Sequence, residues 1–200
     1  YMSQENKTSY DITWDNTLTY DVKIKGGHDL TALLGTSANQ YKSIYGKTSG
    51  TGGGVHYLTN LYYDLTKVST MNAPESEYIK SSLMSYFGRV NYKYKDRYLL
   101  TGTLRADGSS TLAEGNQWGY FPSVGTGWRV SSEKFMKNVK AINNLKLRYS
   151  WGKAGNAAID PYGTLALTSP NRNYYCFDNV SVFGFVPGNL GNKELSWETT

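Results

Sequence analysis

One cysteine, Cys176, occurs in 200 residues. No intramolecular disulfide is available, so the chain is not a stapled secreted mini-domain. No histidine or second cysteine lies near Cys176, which reads as an incidental thiol, and His28 and His56 stand alone in a turn and a loop. Long apolar runs are absent too: no stretch approaches the roughly 20 apolar residues that a membrane-spanning helix needs. A helical membrane protein is thereby excluded. A mean hydropathy of -0.52 still allows a β-barrel, whose strands show lipid only every second residue. Clustered charge is missing as well. The net charge of +5 is spread one or two cations per segment, which fits a solvated face and argues against nucleic acid as a partner. There is no nucleophile–base pair. The glycine-rich stretch 50–54 lacks the Lys-Ser/Thr partner of a phosphate cradle. No enzymatic activity, metal or cofactor is expected.

Tyrosine and glycine are abundant, 18 and 21 residues. Aromatics at this density are unusual for a packed core and normal for an interfacial surface. Their placement follows period two, the pitch of a pleated strand. In 16–24, Leu18, Tyr20, Val22 and Ile24 oppose Thr17, Thr19, Asp21 and Lys23. In 98–107, Tyr98, Leu100, Leu104 and Ala106 oppose Thr101, Thr103, Arg105 and Asp107. In 145–151, Leu145, Leu147, Tyr149 and Trp151 oppose Lys146, Arg148 and Ser150. Strands are expected at about 10–24, 29–45, 78–94, 98–107, 120–131 and 145–153, with another starting near 195.

The connections alternate in length. Short turns are expected near 25–28, 95–97 and 132–144, and long loops near 49–77, 108–119 and 154–194. In the first two turns glycine supplies positive φ and charges stay wet. In the third, Phe135, Met136 and Val139 predict one or two helical turns capped by Ser131 and Ser132. Short turns on one rim and long loops on the other, with strands nearer the nine to eleven residues of a membrane crossing than the five or six of a soluble sheet, suit an outer-membrane barrel. The expected fold class is therefore all-β: antiparallel up-and-down strands forming part of a large transmembrane β-barrel, an open curved sheet in this segment. Leu18, Tyr20, Val22, Ile24, Leu100, Leu104, Leu147 and Tyr149 are the expected lipid-facing positions. Tyr94 and Tyr98 would form one aromatic girdle, and Trp118, Tyr120, Tyr149 and Trp151 the other. Pro122, unable to donate to a ladder, is expected among the first residues of its strand. Gly125 and Gly127 suit either a crowded lumen or strand coiling. Tyr1-Met2-Ser3 reads as the interior of a protein, and the chain is expected to be an excerpt of a longer polypeptide.

Specific motifs accompany the pattern. Ser85-Tyr86-Phe87-Gly88-Arg89-Val90-Asn91-Tyr92, Tyr98-Leu99-Leu100-Thr101, Arg105-Ala106-Asp107-Gly108-Ser109-Ser110, Trp118-Gly119-Tyr120-Phe121-Pro122-Ser123 and Gly127-Trp128-Arg129 follow one another. Phe135-Met136, Leu145-Lys146-Leu147-Arg148, Gly155-Asn156, Leu190-Gly191-Asn192 and Trp197-Glu198-Thr199-Thr200 come after. The series resembles the SusC/RagA family of TonB-dependent outer-membrane transporters over about 83–200, and over 10–45 by pattern alone. Thr111-Leu112 and Lys193-Glu194 depart from it, where a basic-aromatic pair and Pro-Asp are usual. The resemblance implies import of glycan or peptide fragments across the cell outer membrane. It also implies a SusD-like surface lipoprotein over the mouth and a TonB complex acting through a plug outside this segment. Two rivals share the alternation: a passive porin or structural barrel, and a secreted all-β carbohydrate-binding or adhesin module. The excess of Tyr argues against the latter. Substrate contact is expected from loop residues Tyr57, Tyr62, Tyr63, Tyr174, Tyr175 and Phe177, whose rings stack on sugar faces, with Asn171, Arg172 and Asn173 as hydrogen-bonding neighbours. The alternative is that these rings pack the loops against each other.

Overall fold

The computed structural model describes residues 1–52, 65, 68–136, 142–177 and 180–200, with side chains 170–183 left aside. Six strands form the main sheet: β1 (Met2–Ile24), β2 (His28–Thr51), β4 (Glu75–Tyr94), β5 (Tyr98–Ser109), β6 (Trp118–Arg129) and β7 (Lys146–Gly152). They lie side by side in that order, and short β3 (Thr70–Met71) pairs with β2. The β4–β5, β5–β6 and β6–β7 pairs are all antiparallel. The fold is all-β, and the sheet is open, with β1 and β7 at its two ends.

Three strands outrun their apolar alternation. β1, β2 and β4 have 23, 24 and 20 residues, longer than the expected spans 10–24, 29–45 and 78–94. Backbone pairing needs no apolar face, so the ladder continues where both rows have become polar. The chain divides into two compact units there: Tyr1–Thr13 with Asn39–Ser81, and Trp14–Ala38 with Ser82–Thr200.

The tight turns use different means. Gly26 and Gly27 have φ of 99° and 86° between β1 and β2. Between β4 and β5 the positive φ falls on Lys95 and Asp96, at 50° and 56°, so the glycine expectation holds only for the first turn. Arg97 N–H donates to Tyr94 C=O at 3.0 Å, closing a tight turn over Lys95 and Asp96 within a three-residue connection. After β6 the chain makes two 3-10 turns, Val130–Ser132 and Lys134–Met136, where one or two serine-capped turns were expected. Arg129 occupies the N-cap without a side-chain bond, since Ser131 and Ser132 lie inside the first turn. Val139 falls outside the described residues.

Pro122 is the fifth residue of β6, not at its start, and pairs with Leu104. β7 ends at Gly152, opposite Ser123. Lys153 N–H donates to Pro122 C=O at 2.9 Å, and the reciprocal bond is impossible because proline has no N–H. Pro122 thus stands where the β6–β7 ladder stops. The aperiodic stretch 154–194 holds a hairpin, β9 (Leu167–Phe177) with β10 (Val180–Asn189), whose register slips between Phe183 and Gly184 and between Pro187 and Asn189. β8 (Gly155–Asn156) pairs with β11 (Glu198–Thr199). Among the described residues of the second unit only Leu112, Ala113, Phe121 and Val130 are buried apolar residues, a core far too small for a sandwich.

Candidate functional site: two faces of one wall

The strand register sorts β4–β7 into two rows. One contains Met84, Tyr86, Gly88, Val90, Tyr92 and Tyr94 on β4, and Tyr98, Leu100, Gly102, Leu104, Ala106 and Gly108 on β5. It continues through Trp118, Tyr120, Pro122, Val124, Thr126 and Trp128 on β6 to Leu147, Tyr149 and Trp151 on β7. This row carries no Asp, Glu, Lys or Arg. The other row holds Arg89, Lys93, Arg105, Asp107, Arg129, Lys146 and Arg148. In β1, within the same unit, Trp14, Leu18, Tyr20, Val22 and Ile24 alternate with Asp15, Asp21 and Lys23. The charged side joins its neighbour: Thr31 donates to Asp21 Oδ1 at 2.5 Å and Ser37 donates to Asp15.

The uncharged row is exposed at Leu18, Tyr20, Ile24, Leu100, Leu104, Leu147 and Tyr149, while Val22 is half-buried. Aromatics border it at two levels. At the short-turn level the rings of Tyr94 and Tyr98 stack at 6.2 Å, and Trp128 stands opposite Tyr98. Ten residues along β5, Trp118 stands opposite Gly108 and stacks on Tyr86 at 6.0 Å. The expected second girdle is therefore corrected in part. Register puts Tyr149 opposite Thr126 and Trp151 opposite Val124, away from Trp118 and Tyr120.

Glu133 organises the first level, and sequence reading missed it. Its Oε1 accepts from the Tyr98 hydroxyl at 2.9 Å and from Trp128 Nε1 at 3.2 Å, and its Oε2 pairs with Arg97 at 3.1 Å. The Tyr98 hydrogen bond, then that of Trp128, holds the Glu133 carboxyl below the ordinary carboxylate range. The only sequence signal is an acid a few residues past a girdle tryptophan. His28 adds to the same level, 2.6 Å from the Tyr92 hydroxyl and ring to ring with Tyr94 at 4.6 Å.

On the charged row, Arg105 pairs with Asp107 at 2.7 Å, donates to Ser85 Oγ at 3.0 Å and lies over the Phe87 ring. Asp107 belongs to β5, opposite Ser85 of β4. Beyond it the loops clasp one another. Leu112 and Ala113 are buried, Ala113 N–H reaches Leu195 C=O at 3.1 Å, and Trp197 meets Phe121 edge-on at 5.1 Å while donating to Gln117 C=O at 2.8 Å. Leu112, which departs from the family's usual residue, thus fills a packing position. Of the expected ligand contacts, Tyr57, Tyr62 and Tyr63 lie outside the described residues. Asn171, Arg172, Asn173, Tyr174, Tyr175 and Phe177 sit on strand β9, not on a loop without secondary structure.

An antiparallel wall with a charge-free, aromatic-bordered row on one side and a charged row on the other is the wall of a transmembrane β-barrel. The family model described as "TonB dependent receptor-like, beta-barrel" matches residues 1–200. "TonB-dependent receptor P26" of Formosa agariphila is 36% identical over 190 residues, 93% of this chain and 18% of that protein. "TonB-dependent receptor SusC" of Bacteroides thetaiotaomicron is 41% identical over 124 residues, 60% of this chain and 12% of that protein. The solved RagAB peptide transporter superposes with a TM-score of 0.82 at 27% identity, covering 98% of this chain and 21% of that one. The chain belongs to the TonB-dependent receptor β-barrel family, in its SusC/RagA group, and it spans about a fifth of the relatives it matches.

Proposed function

We propose that this chain supplies barrel wall and outer loops to a TonB-dependent importer of glycan or peptide fragments in the cell outer membrane. The carrying observation is the charge-free row. Its two aromatic levels lie ten residues apart along β5, roughly 33 Å of strand, or about 25 Å along the membrane normal at a tilt near 40°. That matches the height of the apolar band of an outer-membrane barrel, about 25 Å. In this reading Leu18, Tyr20, Val22, Ile24, Leu100, Leu104, Leu147 and Tyr149 meet lipid, and the short turns lie on the periplasmic side. The long loops near 49–77, 108–119 and 154–194 face outward, where Tyr57, Tyr62, Tyr63, Asn171, Arg172, Tyr174, Tyr175 and Phe177 contact the ligand. A SusD-like lipoprotein covers the mouth, and the TonB complex acts through the part of the polypeptide beyond these residues. Likeness to a solved peptide transporter favours peptide, while the family resemblance of the sequence motifs keeps glycan in view.

The test is uptake by cells carrying the full-length protein, with and without an intact TonB system. TonB-dependent uptake is expected, and equal uptake in both strains would favour a passive barrel. Replacing Tyr62, Tyr63, Tyr174 and Tyr175 by Ala, with surface level matched, is expected to weaken uptake. Unchanged uptake would mean that these rings only pack the loops.

A further inference from the structure

The charged row of β4–β7 is not balanced. Over the paired residues 83–94, 98–109, 118–129 and 146–152 it carries Arg89, Lys93, Arg129, Lys146 and Arg148 against one acid, Asp107, which is taken by Arg105. Asp29 of the neighbouring β2 stands level with Lys93 and forms no salt bridge with it. Among the described residues none of the five forms a salt bridge. Arg89 makes a long hydrogen bond to Thr103, 3.4 Å. The register arranges them in steps. Arg89 is level with Thr103 and Ser123. Four residues further toward the short turns, Lys93 and Arg148 share a level with Leu99 and Gly127 between them. Two residues beyond, Arg129 stands opposite Lys146. The run covers six residues of strand, roughly 20 Å. Between the cations β6 contributes Ser123, Gly125 and Gly127, so little side chain stands over that strand, and a Cβ added at Gly125 would meet nothing nearer than 4.0 Å. The acids of β1 and β2, Asp15, Asp21 and Asp29, lie on the far side of β4 from β5–β7.

Resting on the import reading, we propose that this run is a cation ladder that selects and conducts anionic oligomers, chains bearing carboxylate or similar groups, toward the short-turn end. Where this wall fixes a cation it neutralises it, as Arg105 with Asp107 and Arg97 with Glu133. The five ladder cations are left unneutralised, and Arg89, Lys93 and Arg148 are exposed on long flexible stems. That suits a solute that must bind at several sites and leave each of them. A row of net positive charge inside a low-dielectric wall also focuses the field on solutes of opposite sign. A fixed acidic segment of the same transporter is the competing occupant, and the test separates the two.

Cells expressing the full-length transporter receive two mixed pools, a protease digest of casein and a partial hydrolysate of half-esterified pectin. Each pool contains oligomers of many net charges. Depletion is followed by mass spectrometry and sorted by charge. Anionic members are expected to be taken up about tenfold faster than neutral ones of equal length. The Lys93→Glu/Arg148→Glu variant and the milder Arg148→Gln, at matched surface level, are expected to lose that preference, fully and in part. Lys47→Gln, which removes a cation from the other unit, should keep it. Uptake without charge preference in the wild type would overturn the ladder and leave import standing. So would variants that slow all oligomers alike with the preference intact, which would instead assign the cations to a fixed protein element. No uptake from either pool would overturn the import reading itself.

Discussion

Depth along a strand decides what a single lipid-facing residue is worth, and only the register supplies depth. Leu104 pairs with Pro122, between the two aromatic levels, whereas Leu147 pairs with Trp128 at the short-turn girdle. In the sequence the two look alike. An Arg near the midplane costs about 2–4 kcal/mol and one near an interface about 0–1 kcal/mol. Leu104→Arg is therefore expected in the upper range, Leu147→Arg in the lower and Leu100→Arg between them, measured by reversible unfolding of the full-length barrel in lipid vesicles. Equal penalties would remove the lipid assignment. Glu133 gives a second prediction at this scale. Its carboxyl lies below the ordinary value of 4.5, held there by Tyr98 and Trp128. Its stabilisation is fully present above the unfolded carboxylate pKa and is lost as pH falls through the lower folded value. Glu133→Gln should accordingly unfold more readily than the wild type at pH 7, with the gap closing as pH drops below about 4. A gap that ignores pH would mean that the charge is irrelevant and shape alone matters.

Elements were legible in proportion to how much each depends on its own residues. β5 and β7 carry strict alternation and agree with the expected spans to within about two residues, because each face repeats its own surroundings at every second position. β1, β2 and β4 were placed too short, since Gln4, Asn6 and Thr8 of β1 alternate with nothing apolar and yet remain in the ladder. The β9–β10 hairpin was hidden because Pro170, Pro187 and irregular register erase period two. The clasp that joins Ala113 to Leu195 and Phe121 to Trp197 was invisible, since these residues come from distant points of the chain. Cutting Leu112 back to Ala is expected to cost about 2–5 kcal/mol of local stability. Hydrogen exchange in the 110–117 and 195–200 segments would report it, and unchanged protection there would show that the loops do not depend on the clasp. Turn geometry makes a matching claim. Gly27 combines a φ of 86° with Lys95 Cγ only 2.9 Å from where a Cβ would stand, so Gly27→Ala is expected to destabilise the β1–β2 hairpin by about 1–2 kcal/mol.

For the whole molecule, surface area states the problem that lipid and the rest of the protein must solve. A folded monomer of 22.4 kDa is expected to expose about 9,400 Å², yet this chain exposes 15225 Å². The excess is not random: exposed Trp14, Leu18, Tyr20, Leu104, Tyr120, Leu147, Tyr149 and Trp151 lie on the uncharged rows, and β1 and β7 each leave one edge of backbone donors and acceptors unpaired. In water such edges pair with other chains, and in lipid each unsatisfied group is costly, so neither solvent suits a barrel segment by itself. Residues 1–200 expressed alone are therefore expected to aggregate without detergent and to show no cooperative unfolding transition. The full-length protein should unfold as one unit in lipid. Sedimentation and thermal melts of the two, side by side, check this. A monomeric, cooperatively melting segment in plain buffer would mean that its apolar rows find a core of their own, which would undercut the barrel-wall reading of both faces.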